Sequence, residues 1–334
     1  ATPSPETENQ MPVGTSNTSP PSHIVTTGAI VVSGPVGASD GEPAEMAYTA
    51  YGHPCAPIHL LAVHGLFDDQ ATWAQLLPHL QQDLYVVTID LLGNGSSGCP
   101  HLNHLPKDER YSADFHVHSL RQAIAALGLR DLVLLGSSLG GGIILRMLCT
   151  PWPERPSIRG LILEDAAGYP AQLPPQMQQL IQWPGQLLLY SPVRWLLRVT
   201  GWARRRILQS VQRAFHDSDK VPANLPTRHL RILRSKAAVR ACRETVRNMV
   251  PSDIHEIVEA YGRLDTPTLV LWGRQDQILS PLYGQRFVDE LPRARLHLFD
   301  DCGHAPHLEQ PEQMARIIHD WLHDTMPDGD GRPQ

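Results

Sequence analysis

Short apolar runs alternate with longer stretches of helical periodicity along most of the chain. The runs at 29–32, 58–63, 84–89, 132–135, 161–163, 268–272 and 296–299 are too short for buried helices and are bounded by turn residues. They predict buried strands. Between them, apolar positions recur at helical spacing around 72–81, 113–127, 140–149, 281–290 and 312–324. Strands that alternate with helices need crossover connections, so the pattern predicts an α/β fold with a mostly parallel, doubly wound sheet covered on both faces.

The rhythm lapses twice. Residues 1–28 are rich in Pro, Ser, Thr and Asn and hold too little apolar mass to offset the entropy of ordering them, which predicts a flexible tail. Between 168 and 262 no strand pattern occurs, and Pro and Arg accumulate among helical stretches. This segment reads as an insert dividing a core of 29–167 and 263–326.

Charge sharpens that division. The insert carries +8, whereas the whole 334-residue chain carries −6, leaving −14 for the remainder. The chain lacks the overall basic excess of a nucleic-acid binder, and no such partner is expected. Its apolar runs fall well short of the roughly 18 to 20 residues of a membrane span. A hydrophobic share of 42% against 19% charged excludes a wholly disordered chain. Five scattered cysteines without a CxxC predict a reduced, cytoplasmic protein, with export left open because the chain begins at Ala1.

The chemistry begins at Gly136-Ser137-Ser138-Leu139-Gly140, a G-x-S-x-G pattern between an apolar run and a helical one. A serine at such a strand-to-helix turn sits in backbone geometry that only small neighbours tolerate, and the turn lifts its Oγ out of the sheet. Ser138, not Ser137, is the candidate nucleophile, and the Leu139 N–H at the following helix start would face an oxyanion. The turn His64-Gly65-Leu66-Phe67 closes an earlier strand and offers a second donor, the Leu66 N–H first and the Phe67 N–H second. His64 is expected to hold that loop. Asp276 lies in the loop after 268–272, where it can orient an imidazole or simply bond its own turn. His304 follows 296–299 as the candidate base, with His307 its local competitor. Ser138, Asp276 and His304 occur in the order nucleophile, acid, base, each just after a predicted strand.

With these motifs the chain resembles the α/β-hydrolase superfamily from about residue 46 to 322, apart from the insert. Asp90-Leu91-Leu92-Gly93-Asn94-Gly95-Ser96-Ser97 is similar to the family's D-x-x-G-x-G-x-S loop. Tyr111-Ser112 before a helix, Trp73, and the run from Cys302 to Pro311 also match. The resemblance implies a Ser138–Asp276–His304 triad, an oxyanion hole from Leu66 or Phe67 with Leu139, and a helical cap at 168–262. Some members draw their acid from the position of Asp165, the alternative here. Serine at 138 disfavours the aspartate-nucleophile epoxide hydrolases and dehalogenases. Carbon–carbon bond hydrolases, perhydrolases and non-catalytic ligand receptors of the same fold are the alternatives to an ester hydrolase.

No cofactor or metal is required by this reading. His101, His104, His116 and His118 cluster in sequence but lack a cysteine or carboxylate set at ligand spacing. In the insert, Trp183, Leu187, Leu188, Leu189, Tyr190, Trp195, Leu196, Leu197 and Trp202 interleave with Arg194, Arg198, Arg204, Arg205 and Arg206. Such a stretch suits either a cap over an apolar acyl pocket, with a small ester as substrate, or peripheral contact with a lipid surface. Oligomeric state is not legible.

Overall fold

Neighbouring residues of each central strand point to opposite faces, and this splits the apolar runs between two cores. The computed structural model describes residues 25–33, 43–80, 84–170 and 187–326. Residues 1–24 of the expected tail, Gln81 at the end of the expected 72–81 helix, and 171–186 of the insert, with Trp183, lie outside the described residues.

The strands are β1 (Val25–Val32), β2 (Ala44–Tyr51), β3 (Ile58–Val63), β4 (Leu84–Ile89), β5 (Leu132–Ser137), β6 (Ile158–Glu164), β7 (Thr268–Gly273) and β8 (Ala294–Phe299). They form one sheet in the order β1-β2-β4-β3-β5-β6-β7-β8. All pairs from β4 to β8 are parallel, while β2 runs antiparallel to both β1 and β4. The helices are α1 (Leu77–Leu80), α2 (Ala113–Ala126), α3 (Leu139–Cys149), α4 (Ser191–Val199), α5 (Trp202–Gln212), α6 (Leu225–His229), α7 (Lys236–Asn248), α8 (Ile254–Ala260), α9 (Leu282–Glu290), α10 (Pro306–Glu309) and α11 (Pro311–Thr325).

Leu61, Val63, Leu132 and Leu134 face a core shared with α2 and α3, whereas Leu60, Ala62, Val133 and Leu135 face one shared with α1 and α11. Both faces of the sheet are therefore covered, as the continuous apolar runs require. Each fully buried aliphatic side chain contributes about 1.5 to 3 kcal/mol.

Three expectations change. Strand β1 begins at Val25, inside the stretch read as tail, because Val25–Val32 pairs along its whole length with β2. Strand β2 was not foreseen: AEMAYTAY is only half buried, so it lacks the unbroken apolar run of the parallel strands. The expected 72–81 helix resolves into a 3₁₀ turn, Gln70–Gln75, capped by the Asp69 carboxylate on the Ala71 N–H at 3.0 Å, followed by α1.

Between β6 and β7 the described residues 187–263 hold helices and no strand. This segment lies against the carboxyl edge of the sheet, where Val211, Phe215 and Leu225 pack on Ala305 and Leu308. Arg146 of α3 ties it down on the other side, binding Asp114 at 2.6 Å and Asp253 at 2.8 Å.

Candidate active site

The turn from β5 into α3 is crowded enough to fix its residue types. A Cβ at Gly136 would stand 2.6 Å from the backbone of Gly141, and one at Gly140 only 2.4 Å from the Val63 carbonyl. Between them Ser138 adopts φ +50° and ψ −115°, a conformation costing about 1 to 3 kcal/mol. Its neighbours hold it there: the Ser138 N–H donates to the Glu164 carbonyl at 2.9 Å, and its own carbonyl accepts from the Ala167 N–H at 2.9 Å. Ser138 is the N-cap of α3, yet its hydroxyl makes no capping bond. Among the described residues its side chain has no hydrogen-bond partner, and it stands at the positive end of an eleven-residue helix.

Asp276 and His304 meet across the loops after β7 and β8. His304 Nδ1 donates to Asp276 Oδ2 at 2.7 Å, and the Asp276 side chain is fully buried. The other oxygen, Oδ1, accepts the Ile278 and Leu279 N–H groups at 2.7 and 3.0 Å. The two roles considered for this aspartate, turn capping and imidazole orientation, are thus divided between its two oxygens. Among the described residues that bond to Asp276 is the one side-chain hydrogen bond of the His304 ring.

Asp165, the alternative acid, follows β6 at φ +42° and is also fully buried. Its Oδ1 accepts the Gly273 N–H at 3.0 Å, while Oδ2 finds no donor among the described residues. Burial pushes this carboxyl well above the ordinary range, and the negative charges of Asp276 and Glu164 push it further. Ligand atoms of Asp165, Asp276 and His304 lie within 4.8 Å of one another, the one group among the described residues with spacing suited to a metal ion. The distance from His304 Nδ1 to Asp276 is that of a shared proton. His101, His104, His116 and His118 form no such group; His116 is buried in an apolar site that lowers its pKa to about 3.

The competitor His307 is engaged elsewhere. Its ring bonds Glu164 Oε1 at 2.8 Å through Nδ1 and the Thr72 hydroxyl at 2.7 Å through Nε2. His64 holds its loop, with Nδ1 donating to the Gly65 carbonyl at 2.7 Å and Nε2 accepting the Leu91 N–H at 3.1 Å.

Ser138, Leu139 and Leu66 line one cavity of about 430 Å³, whereas Phe67 lines a separate small cleft beside Arg228. The large cavity has apolar walls, among them Ile143, Met249, Val250 and Ile278. Its one cationic side chain among the described residues is Arg146, already held by Asp114 and Asp253.

Two anchoring groups escaped the sequence reading. Glu309 accepts the Gly303 N–H at 2.6 Å and the His216 N–H at 3.0 Å, joining the His304 loop to the insert, while the His304 N–H donates to the Ala214 carbonyl at 2.6 Å. Glu309 stands five residues after His304 in the matched run, and that spacing was its only signal. Arg228 pairs with Asp68 and with Asp69 at 3.1 Å, while Arg231 reaches Asp69 at 2.9 Å.

Burial alone would raise the Asp68 carboxyl, but the Arg228 guanidinium beside it, helped by a hydrogen bond with Thr72, outweighs burial and leaves it below its ordinary value. The stability it contributes is therefore full above about pH 4 and is lost as pH falls through the lowered native value. Arg228→Ala is expected to destabilise the fold by about 3 kcal/mol in urea titrations at pH 7, because the Asp68 carboxylate loses its paired cation and Asp69 is left with Arg231 alone. The difference from wild type should shrink on acidification.

A parallel sheet carrying an uncommitted serine at a strand-to-helix elbow, with a His–Asp pair on the same edge, defines a class: the hydrolases of α/β fold. The chain belongs to the α/β hydrolase fold family, whose model matches residues 58–311. It is 28% identical over 274 residues to 2-hydroxymuconate semialdehyde hydrolase of Pseudomonas sp. (strain CF600), covering 79% of this chain and 86% of that protein. It is 22% identical over 293 residues to the monoacylglycerol lipase ABHD6 of Homo sapiens, covering 84% and 80%. In fold it is similar to an esterase from Thermogutta terrifontis, with a TM-score of 0.66 at 22% identity over 89% of this chain and 99% of that one. A bacterial membrane phospholipase A gives a TM-score of 0.67 at 23% identity over 90% and 87%.

Proposed function

We propose that the protein is a serine hydrolase cleaving carboxylic esters with apolar acyl groups. The observation that carries this reading is the 2.7 Å bond from His304 to buried Asp276 at the sheet edge where the free Ser138 hydroxyl opens on an apolar cavity. His304 takes the Ser138 proton through Nε2 as Oγ attacks the ester carbonyl, and Asp276 stabilises the imidazolium that forms. The Leu139 and Leu66 N–H groups receive the oxyanion, Leu66 being preferred to Phe67 because it shares the cavity with Ser138. The proton passes to the departing alkoxide, leaving an acyl-serine. Water, deprotonated by His304, then releases the acid and restores the serine.

The kinship with 2-hydroxymuconate semialdehyde hydrolase favours a second reading, cleavage of a carbon–carbon bond next to a carbonyl. A muconate-type substrate brings a carboxylate, and the single cation of the described lining is already paired twice. That argues for a neutral ester. Purified protein assayed on p-nitrophenyl esters of increasing acyl length, beside Ser138→Ala, is expected to show serine-dependent turnover. A folded wild type that turns over no ester of any length would overturn the reading and favour the carbon–carbon alternative.

A further inference from the structure

Six of the large apolar side chains that stand exposed in the described residues fall between 187 and 202: Leu187, Tyr190, Trp195, Leu196, Val199 and Trp202. On α4, Trp195, Leu196 and Val199 share one helical face and are 66%, 53% and 58% exposed. The helix nevertheless has an inner side: Leu197, with Leu188 and Leu189 before it, packs on Ala203, Leu233 and Val239. The outward face is thus a second apolar surface on an already seated helix. Monomeric proteins rarely leave such a contiguous patch to water.

The charges around it specify the occupant. Residues 187–213 contain six arginines and no acidic residue. Arg194 is buried and bonded to the Leu188 carbonyl at 3.0 Å and the Ser191 hydroxyl at 3.0 Å. Arg198, Arg204, Arg205, Arg206 and Arg213 are exposed, and none pairs with a carboxylate among the described residues. Arg206 lies over the Trp202 ring at 5.6 Å, which places a cation beside an exposed aromatic. A second copy of this chain seated symmetrically on the face would set these arginines against one another. An anionic, apolar surface satisfies both halves of the pattern.

We propose that this face of the insert docks on anionic lipid bilayers, with Trp195, Leu196, Val199 and Trp202 entering the interfacial layer and the arginines meeting lipid phosphates. Among the described residues no helix is long and apolar enough to cross a membrane. The −14 carried outside the insert repels the same surface, so the molecule lands insert-first. The docking goes beyond the ester-hydrolase reading and is measured without turnover.

The test is co-sedimentation of the full chain with vesicles of phosphatidylcholine alone or with about 30% phosphatidylglycerol, at about 0.05 M and 0.5 M salt. Wild type is expected to bind the anionic vesicles at low salt, to leave them at high salt, and to ignore the neutral ones. Each arginine near the surface is worth about fivefold in partitioning, so R204E/R205E/R206E should lower it at least 100-fold. W195A/W202A should lower it about tenfold or more. Leu282→Ser, which removes an exposed leucine outside this segment, should leave it unchanged.

Wild type that binds no anionic vesicle, or binding indifferent to salt and to the charge reversals, overturns the proposal. So does a wild type that self-associates on size exclusion and becomes monomeric in W195A/W202A, which would make the face an interface between copies. Should either multiple variant fail to fold, quenching of wild-type tryptophan fluorescence by brominated anionic vesicles decides. Quenching supports docking, and unquenched emission refutes it.

Discussion

Ser138→Ala is expected to abolish ester hydrolysis, by about 10⁴-fold or more in kcat, while its melting temperature stays within about 2 °C of wild type. The asymmetry follows from how the serine is held. Its conformation depends on backbone bonds to Glu164 and Ala167, not on the hydroxyl, which caps nothing. Alanine therefore keeps the turn and loses only the attacking oxygen. His304→Ala should be as damaging to turnover, and the double substitution no worse than either single one, because the two groups act in one proton transfer. Parallel progress curves on a p-nitrophenyl ester, with differential scanning calorimetry of each variant, supply both readouts. A Ser138→Ala protein that retains more than about a hundredth of wild-type kcat would remove Ser138 from the chemistry.

Asp276→Asn is expected to cost about 10³ to 10⁴ in kcat, whereas Asp165→Asn costs less than about tenfold. The two carboxyls are close neighbours in the same buried corner, so proximity does not separate them. Their bonding does. Asp276 directs one oxygen to the imidazole and braces its loop with the other, so an amide in its place keeps the loop but reverses the hydrogen-bond polarity facing His304. Asp165 instead accepts a backbone N–H, and burial with the neighbouring charges of Asp276 and Glu164 raises its pKa, which favours the uncharged form. Asparagine imitates a neutral carboxyl: its carbonyl retains the Gly273 bond, and its amide replaces the acid proton. Steady-state kinetics of both variants between about pH 6 and 8 settle the assignment. If Asp165→Asn is the more damaging, the acid is Asp165.

Much of this arrangement was legible because parallel strands buried on both faces leave continuous apolar runs. The runs at 58–63 and 84–89 coincide with β3 and β4, and each candidate residue could be placed at a strand end from its neighbours alone. Strand β2 stayed hidden because an antiparallel strand near the sheet edge alternates, and small alanines blur even that pattern. His304 and His307 occupy equivalent loop sites in the sequence, and only the folded positions of Glu164 and Thr72 separate them. Arg228 and Glu309 were out of reach for a related reason. Asp68 lies 160 residues from Arg228, and His216, the insert partner of Glu309, lies 93 residues from it, so no local spacing encodes either meeting.

The insert is not an exchangeable module. Ala214 holds the backbone of the proposed base, and Glu309 grips the insert and the His304 loop at once. A chimera that received another protein's insert would acquire a new seat for its base together with new pocket walls, so selectivity and rate would shift together. Redesign of substrate range is better begun at single wall positions such as Met249 or Val250, which touch the cavity without bonding His304 or Asp276. An insertion or deletion near Ala214 would for the same reason shift the His304 backbone as well as the pocket wall.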